Sequence, residues 1–569
     1  MDEIIALLVD AADRFQGPGV SALLAAAAGS GKVSMRPSGN GPRDALDGAG
    51  ERASVEEEAT KNGRGTDSIG TAVLGAGPAG LSAAYVLAQR GERGAVFEAD
   101  GVVGGIAKTV EFNGYRFDLG GHRFFTKLKL IERIWEEMLG PEFLTRPRLS
   151  RIYFNGRFFS YPLTASDVLR RLGIFESLRC VLSYLSSQLR PRRGLPATFE
   201  EWVTRRFGKR LYNSFFRSYT EKVWGIPGSE IRSQWAAQRI KNFSLVKAIL
   251  SVLGLRREHV TTLIEEFRYP RLGPGQMWER FAGHVSGHGI PVHLSQRCIA
   301  LRHANGRVGT IVVRSNGGTT EYEVERVCST IALIDLILSL DPAPPEDVVA
   351  AAKRLRYRDL VLVALMTSEE KPFPDNWIYV HDPGTRAGRV QNFGAWSDDM
   401  VRPGTTCLGV EYFCFEGDDI WEMSDEQAVA LARDELARIG LIDPDRIFDG
   451  VKVRVPRAYP MYDFNYEEAV DVIREYLASF SNLQTCGRNG LHRYNNQDHS
   501  MWTGILATLN LIDGTSHDVW WVNTEADYLE ELELGKVDEV PTVSAALPAP
   551  RGQTESGQGA IAAGARPHG

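Results

Sequence analysis

The stretch Thr71-Ala72-Val73-Leu74-Gly75-Ala76-Gly77-Pro78-Ala79-Gly80 decides the fold. A short apolar strand runs into glycines at the first, third and sixth positions of a G-x-G-x-x-G pattern, and an Ala/Leu-rich helix follows. In such a turn the first glycine permits the tight reversal. The second lets backbone approach a pyrophosphate, and the third lets helix and strand pack closely. The free N–H groups and positive dipole end of the helix N-terminus favour phosphate. A second apolar strand, Ala95-Val96-Phe97, ends in Glu98, at the distance where an acidic side chain takes ribose hydroxyls. Strand, glycines, helix and acid in register predict a dinucleotide site built from Gly75, Gly77, Pro78, Ala79, Gly80 and Glu98.

Around this unit the chain has 569 residues, more than one hydrophobic core accommodates, so two or three domains or subdomains are expected. Apolar content of 43% and charged content of 24% are those of a globular protein, and a net charge of -7 points to no class of partner. No apolar run reaches transmembrane length; Leu360 to Met366 is long enough only for a buried strand. The start, Met1-Asp2-Glu3, is acidic and is not expected to be a secretory signal. Cys180, Cys298, Cys328, Cys407, Cys414 and Cys486 are scattered without a C-x-x-C pair. That predicts buried, reduced thiols, no metal site and a cytoplasmic protein.

Residues 1–68 are expected to be a disordered extension with one candidate helix, Ile4 to Ala28. A Pro/Ala/Gly-rich tail over 540–569 is also expected to be disordered. Between them the character alternates. Residues 69–145, 285–350 and 465–530 carry the nucleotide-binding elements in a discontinuous α/β domain. Residues 146–164 and 351–464 carry strand-like runs, including a hairpin signal at Asn155-Gly156. Residues 165–265 have helical periodicity, and 165–284 are expected to be a helical insert. The expected fold is therefore α/β with α+β inserts, a Rossmann-like domain of glutathione-reductase type beside a mixed-sheet substrate domain.

Past Glu98 the chain reads Asp100-Gly101-Val102-Val103-Gly104-Gly105. A Gly-Gly pair there resembles the FAD-binding pattern of amine-oxidase and glutathione-reductase-like flavoproteins, which implies FAD and adds Gly104 and Gly105 to its site. Four further stretches resemble the UDP-galactopyranose mutases, a branch of the amine oxidase and protoporphyrinogen oxidase superfamily. Phe117-Asp118-Leu119-Gly120-Gly121-His122-Arg123-Phe124-Phe125-Thr126 is similar to their Gly-x-His-x-Phe-x-Thr run, which implies Gly121 and His122 against the flavin ring. Tyr219-Thr220-Glu221-Lys222-Val223-Trp224-Gly225 resembles their Tyr-Thr-x-Lys-x-Trp-Gly run, which implies Tyr219 and Trp224 in a nucleotide pocket. Arg239 stands one residue later than the arginine of that family. Gly388-Arg389-Val390-Gln391-Asn392-Phe393 is similar to a segment with a pyrophosphate arginine, here Arg389. Tyr459-Pro460, with Gly487-Arg488-Asn489-Gly490 and Tyr494, resembles the mutase pattern that implies Gly487 and Arg488 at the flavin and Tyr459 and Tyr494 at substrate phosphates. Two positions depart from it: His492 stands for a tyrosine and Asn496 for an aspartate.

The resemblance covers about residues 70–520. It implies a reduced-flavin enzyme that attacks the anomeric carbon of a nucleotide-diphosphate sugar, so that the ring opens and recloses in the other size. His122, Arg389 and Arg488 would be catalytic. Tyr219, Trp224, Arg239, Arg389, Tyr459 and Tyr494 would hold the substrate, and NAD(P)H is a candidate external reductant. The alternative is an FAD-dependent oxidoreductase that oxidises a small organic substrate. Between Arg151 and Ile240 there are 16 Lys and Arg against 6 Asp and Glu, an excess of 10, which suits an anionic small molecule and equally suits solvated helix faces. No nucleic-acid motif accompanies that charge.

Overall fold

The computed structural model describes residues 68–161, 171–189, 194, 196–233 and 266–522. The expectations for residues 1–67, for the 540–569 tail and for Arg239 lie outside the described residues.

Ile69–Leu74 is an interior strand of an eight-stranded sheet, paired in parallel with Gly94–Phe97 on one side and Gly318–Ser329 on the other. Leu483–Thr485 joins in parallel at the end of Gly318–Ser329. The register sets Leu74 opposite Phe97 and Ser329, and Ser329 opposite Thr485. Four strands thus end at one level, and the chain leaving them forms the crevice in which such sheets bind ligands. The helix Pro78–Arg90 crosses one face and buries Leu81, Ala84, Val86 and Leu87. Helix Gln497–Asp513 packs on it so closely that a Cβ on Gly504 would stand 2.1 Å from the Ala79 carbonyl oxygen.

The second sheet has seven strands in the order Ile447–Pro460, Tyr357–Thr367, Thr406–Cys414, Arg389–Asn392, Trp377–Val380, Ser150–Phe154 and Arg157–Ser160. The apolar run within Tyr357–Thr367 is buried on both faces. Leu360, Leu362, Ala364 and Met366 enter one core and Val361, Val363 and Leu365 the other, as period-2 side chains must. The Asn155-Gly156 hairpin forms, with φ of 49° and 73° at its two turn residues.

The helical stretch differs from expectation at its far end. Ile174–Leu189, Phe199–Phe207, Ser218–Trp224 and the π-helical Tyr212–Arg217 are helical. Glu266–Pro270, however, is a strand paired with Phe143–Pro147. The next helix, Pro274–Gly287, buries Met277, Trp278, Phe281 and Val285 in the core shared with Pro78–Arg90. Helical periodicity shows that a segment is amphipathic, not which domain covers its apolar face.

Candidate active site

A cavity of about 1130 Å³ runs from the glycine turn to the second sheet. That exceeds a site for one drug-sized ligand and has room for a cofactor and a substrate. Gly75, Gly77, Pro78, Ala79, Glu98, Gly105, Gly121 and His122 line it, as do Arg389, Tyr459, Arg488 and Tyr494.

At the turn, Gly75 has φ of 100°, a conformation that needs glycine. Gly77 is different. Its φ of -78° and ψ of -176° suit any residue, and a Cβ there would meet only the Gly104–Gly105 backbone, at 3.8 Å and beyond. Neither backbone nor packing requires this glycine, and its missing side chain leaves open space at the cavity wall. Glu98 accepts the Ala76 N–H at 2.6 Å and the Asp100 N–H at 2.8 Å, which fixes its carboxylate at the cavity wall with acceptor capacity left for ribose hydroxyls. Gly80, Gly104 and Gly487 are expected at the cofactor but are not among the residues lining the cavity. A Cβ on Gly80 would stand 1.8 Å from the Gly75 carbonyl oxygen, and one on Gly487 would stand 2.9 Å from the Ala79 Cβ. Gly104 has φ of 101° and donates its N–H to the Ala76 carbonyl at 2.9 Å. These three shape the turn from behind.

Beyond the turn, Tyr115–Asp118 delivers Leu119-Gly120-Gly121-His122 to the cavity. Burial, then the charges of Arg488 and Arg389, push the His122 imidazole down to about 3, so it is neutral near pH 7. Its Nδ1 is buried and lacks a hydrogen-bond partner. Asp118, fully buried just upstream, accepts from the Tyr269 hydroxyl at 2.6 Å and from Thr109 at 3.1 Å. Burial raises its carboxyl to about 7 against those bonds.

Facing this loop stand the cations. Arg488 donates to the Ala458 carbonyl at 2.6 Å and the Asn495 carbonyl at 3.3 Å. Its guanidinium lies 4.9 Å from the Tyr459 ring centre and 4.2 Å from that of Tyr494, and the two rings stack 5.6 Å apart. Its Nε is buried without a hydrogen-bond partner. Arg389 donates to the Tyr459 hydroxyl at 2.7 Å and pairs at 2.7 Å with Glu411, which is fully buried and also accepts from Gln391 at 2.7 Å. Burial opposes the Arg389 charge, but Glu411 and the surrounding tyrosines more than offset it and hold the guanidinium above its ordinary value. Burial pushes the Tyr459 phenol up to about 12, so it stays a donor.

Two expected substrate contacts do not reach the cavity wall. Trp224 is 2% exposed and packs in the core under the second sheet. Tyr219 stacks on His381, with centroids 4.4 Å apart, and meets Tyr379 edge-on at 5.8 Å. The rings that do line the cavity on this side are Trp377, Tyr379 and Trp396. Trp377 and Tyr379 alternate along one strand, a period-2 signal present in the sequence. Glu411 gave no signal, because its partner Arg389 is brought opposite it only by strand pairing. All six cysteines are free thiols; five are buried and Cys298 is half-buried at the cavity, where burial was expected.

Residues 78–504 match the pattern of the flavin-containing amine oxidoreductases. The chain belongs to that family. Its cofactor is FAD, and the cradle at Gly77, the fixed Glu98 carboxylate and the unpartnered nitrogens of His122 and Arg488 fit it. Among solved structures, reduced UDP-galactopyranose mutase superposes with a TM-score of 0.69 at 20% identity, covering 80% of this chain and 98% of that one. A chain described as a protoporphyrinogen oxidase from Exiguobacterium sp. 255-15 gives 0.58 at 17%, over 78% and 99%. Putrescine oxidase bound to putrescine gives 0.51 at 17%, over 78% and 99%. Identities this low establish the flavoprotein fold and leave the reaction open. A curated relative, the 4,4'-diapophytoene desaturase (4,4'-diapolycopene-forming) of Methylomonas sp, is 33% identical over 91 residues, 15% of this chain and 17% of that protein. The match therefore spans about a sixth of that relative. Among the described residues no helix is long and apolar enough to cross a membrane.

Proposed function

We propose that this flavoenzyme acts on an anionic substrate, a nucleotide-diphosphate sugar, and interconverts pyranose and furanose rings with its flavin reduced. One observation carries the reading. The Arg488 guanidinium lies over the paired rings of Tyr459 and Tyr494, where an amine substrate would seek an aromatic face. A cation built into that position repels an amine and attracts phosphate. Bound FAD supplies electron-pair donation when reduced and hydride acceptance when oxidised. Arg488 and Arg389 orient the diphosphate, and the Tyr459 and Tyr494 hydroxyls donate to it. His122, neutral, offers Nδ1 as a hydrogen-bonding group beside the reacting centre. Trp377 and Tyr379 present the faces on which a nucleobase would stack. NAD(P)H is the proposed external reductant.

The second reading, oxidation of a small organic molecule, draws on the aromatic lining of Trp377, Tyr379 and Trp396. One experiment separates the two. UDP or TDP is added to the FAD-loaded protein and the melting temperature is followed, with putrescine as the cationic comparison. The reduced protein is then screened with nucleotide sugars for a ring-size change. A nucleoside diphosphate should raise the melting temperature and the diamine should not. No shift with any nucleoside diphosphate removes the mutase reading.

A further inference from the structure

The strand Ile447–Pro460 breaks register with Tyr357–Thr367 at one place. Tyr459 pairs with Arg358 and Val455 with Leu360, so Pro456, Arg457 and Ala458 together face only Asp359. Within this bulge Arg457 has φ of 53°, a left-handed conformation that an arginine adopts at a cost. A bulge also leaves backbone donors without ladder partners. Asp359 supplies what is missing. It is 6% exposed; one carboxylate oxygen accepts the Arg457 N–H at 2.6 Å, and the other accepts the Glu416 N–H at 2.9 Å.

The bulge faces the cavity, and its backbone carries the groups around the flavin end. The Arg457 carbonyl accepts from Asn489 at 3.3 Å, and the Ala458 carbonyl accepts from Arg488 at 2.6 Å. The next residue, Tyr459, meets Arg389 at 2.7 Å. Arg457, Ala458, Tyr459, Arg488 and Asn489 all line the cavity. Arg488 follows Leu483–Thr485 of the first sheet, while the carbonyl that holds it stands on the second sheet.

We propose that Asp359 is a positioning residue: by holding the Pro456–Ala458 bulge it sets Tyr459 and Arg488 in the cavity, without touching cofactor or substrate. A flattened bulge would turn the Ala458 carbonyl away from Arg488 and move Tyr459 off Arg389. Two cations would then lose their alignment together. The arm of the test that uses a nucleotide rests on the function proposed above; the arm that uses the flavin does not.

The test uses the full-length, FAD-loaded protein with Asp359→Ala and Asp359→Asn. Asparagine keeps one oxygen for the Arg457 N–H and turns its NH2 toward the Glu416 N–H, so only the Glu416 amide should lose protection, whereas alanine keeps neither acceptor. Three quantities are read: the visible spectrum of the bound flavin, the Kd for UDP, and amide exchange at Arg457 and Glu416. D359A should keep its FAD yet shift the spectrum, bind UDP at least ~10-fold more weakly and lose protection at Arg457. D359N should match the wild-type spectrum, hold UDP within ~3-fold and keep Arg457 protected. An unshifted spectrum in folded D359A overturns the proposal, as does D359N impaired to the same degree as D359A. If D359A does not fold, D359N decides alone: a wild-type spectrum with Arg457 protected supports the role, and a shifted spectrum overturns it. Failure of the wild-type protein to bind UDP counts against the nucleotide reading only, since the flavin spectrum still reports on Arg488.

Discussion

Gly77 and Gly80 occupy equivalent-looking places in the glycine pattern, yet alanine at each should have opposite consequences. At Gly77, φ and ψ suit alanine, and the new methyl would sit 3.8 Å from the Gly105 Cα, an ordinary contact. FAD-free Gly77→Ala should therefore be as stable as wild type, or more stable by about 0.4–1 kcal/mol through reduced freedom of the unfolded chain. At Gly80 the methyl would lie 1.8 Å from the Gly75 carbonyl oxygen, so helix and turn must separate. That costs about 1–3 kcal/mol, the range for overpacking. With FAD added the ranking changes. Wild type gains about 2.7 kcal/mol at a hundredfold excess over Kd, and Gly77→Ala should forgo most of it because its methyl occupies the ligand's side of the turn. Denaturant unfolding of FAD-free and FAD-loaded forms of all three proteins measures both quantities. If FAD-free Gly77→Ala is as unstable as Gly80→Ala, or if it gains full stabilisation from FAD, the assignment of the second glycine to the ligand is wrong.

Removing the carboxylate from the buried Arg389–Glu411 pair by Glu411→Gln should destabilise the FAD-free protein by about 3–5 kcal/mol, because Arg389 is left buried without its counter-charge. A loss under about 1 kcal/mol would show that Arg389 finds other compensation. Acid should weaken the fold through His381 and His492, which burial pushes down to about 3 and about 4. Both lie below the unfolded value, so the folded state binds fewer protons. Their contribution is complete above pH ~6.5 and falls by roughly 1.4 kcal/mol per group per unit as pH drops through that window. A urea series from pH 7.5 to 5 measures the slope, and a flat profile would contradict their neutral burial. Asp118 has the opposite sign. Its carboxyl is raised to about 7, so its ionisation penalty grows from pH ~4 to ~7, and Asp118→Asn should add more stability at pH 8 than at pH 5.

The sequence reveals the crevice better than the pocket beside it, for a physical reason. The glycine turn, Glu98 and the Gly104-Gly105 pair act over short separations, where spacing alone fixes geometry. The tight helix contact at Gly80 and the left-handed Gly104 follow from the same local pattern, although both shape the turn from behind and neither lines the cavity. Arg389, Tyr459, Arg488 and Tyr494 were singled out by the resemblance of separate stretches to the mutases, and the fold brings all four to the cavity wall. Glu411, Gln391 and Asp359 were not, because their roles exist only once antiparallel strands are in register. A buried counter-ion has no local periodicity to betray it.

The aromatic run at Tyr219–Trp224 shows how the same residues can serve a pocket without lining it. Lys222, on that helix, donates to the carbonyls of Val380 at 3.0 Å, Asp382 at 2.5 Å and Ala387 at 3.3 Å, and burial pushes its ammonium down to about 8. His381 reaches the Phe215 carbonyl at 2.7 Å within the π-helical segment and stacks on Tyr219. The helix is thus fastened to the strand Trp377–Val380, and Tyr219 braces Tyr379, which does line the cavity. Lys222→Met should release this fastening. If the helix matters through Tyr379, the variant should weaken nucleoside diphosphate binding while leaving FAD content and the flavin spectrum unchanged, since Arg488 and His122 are held by other elements. Equal loss of FAD and nucleotide would instead mean that Lys222 supports the fold as a whole.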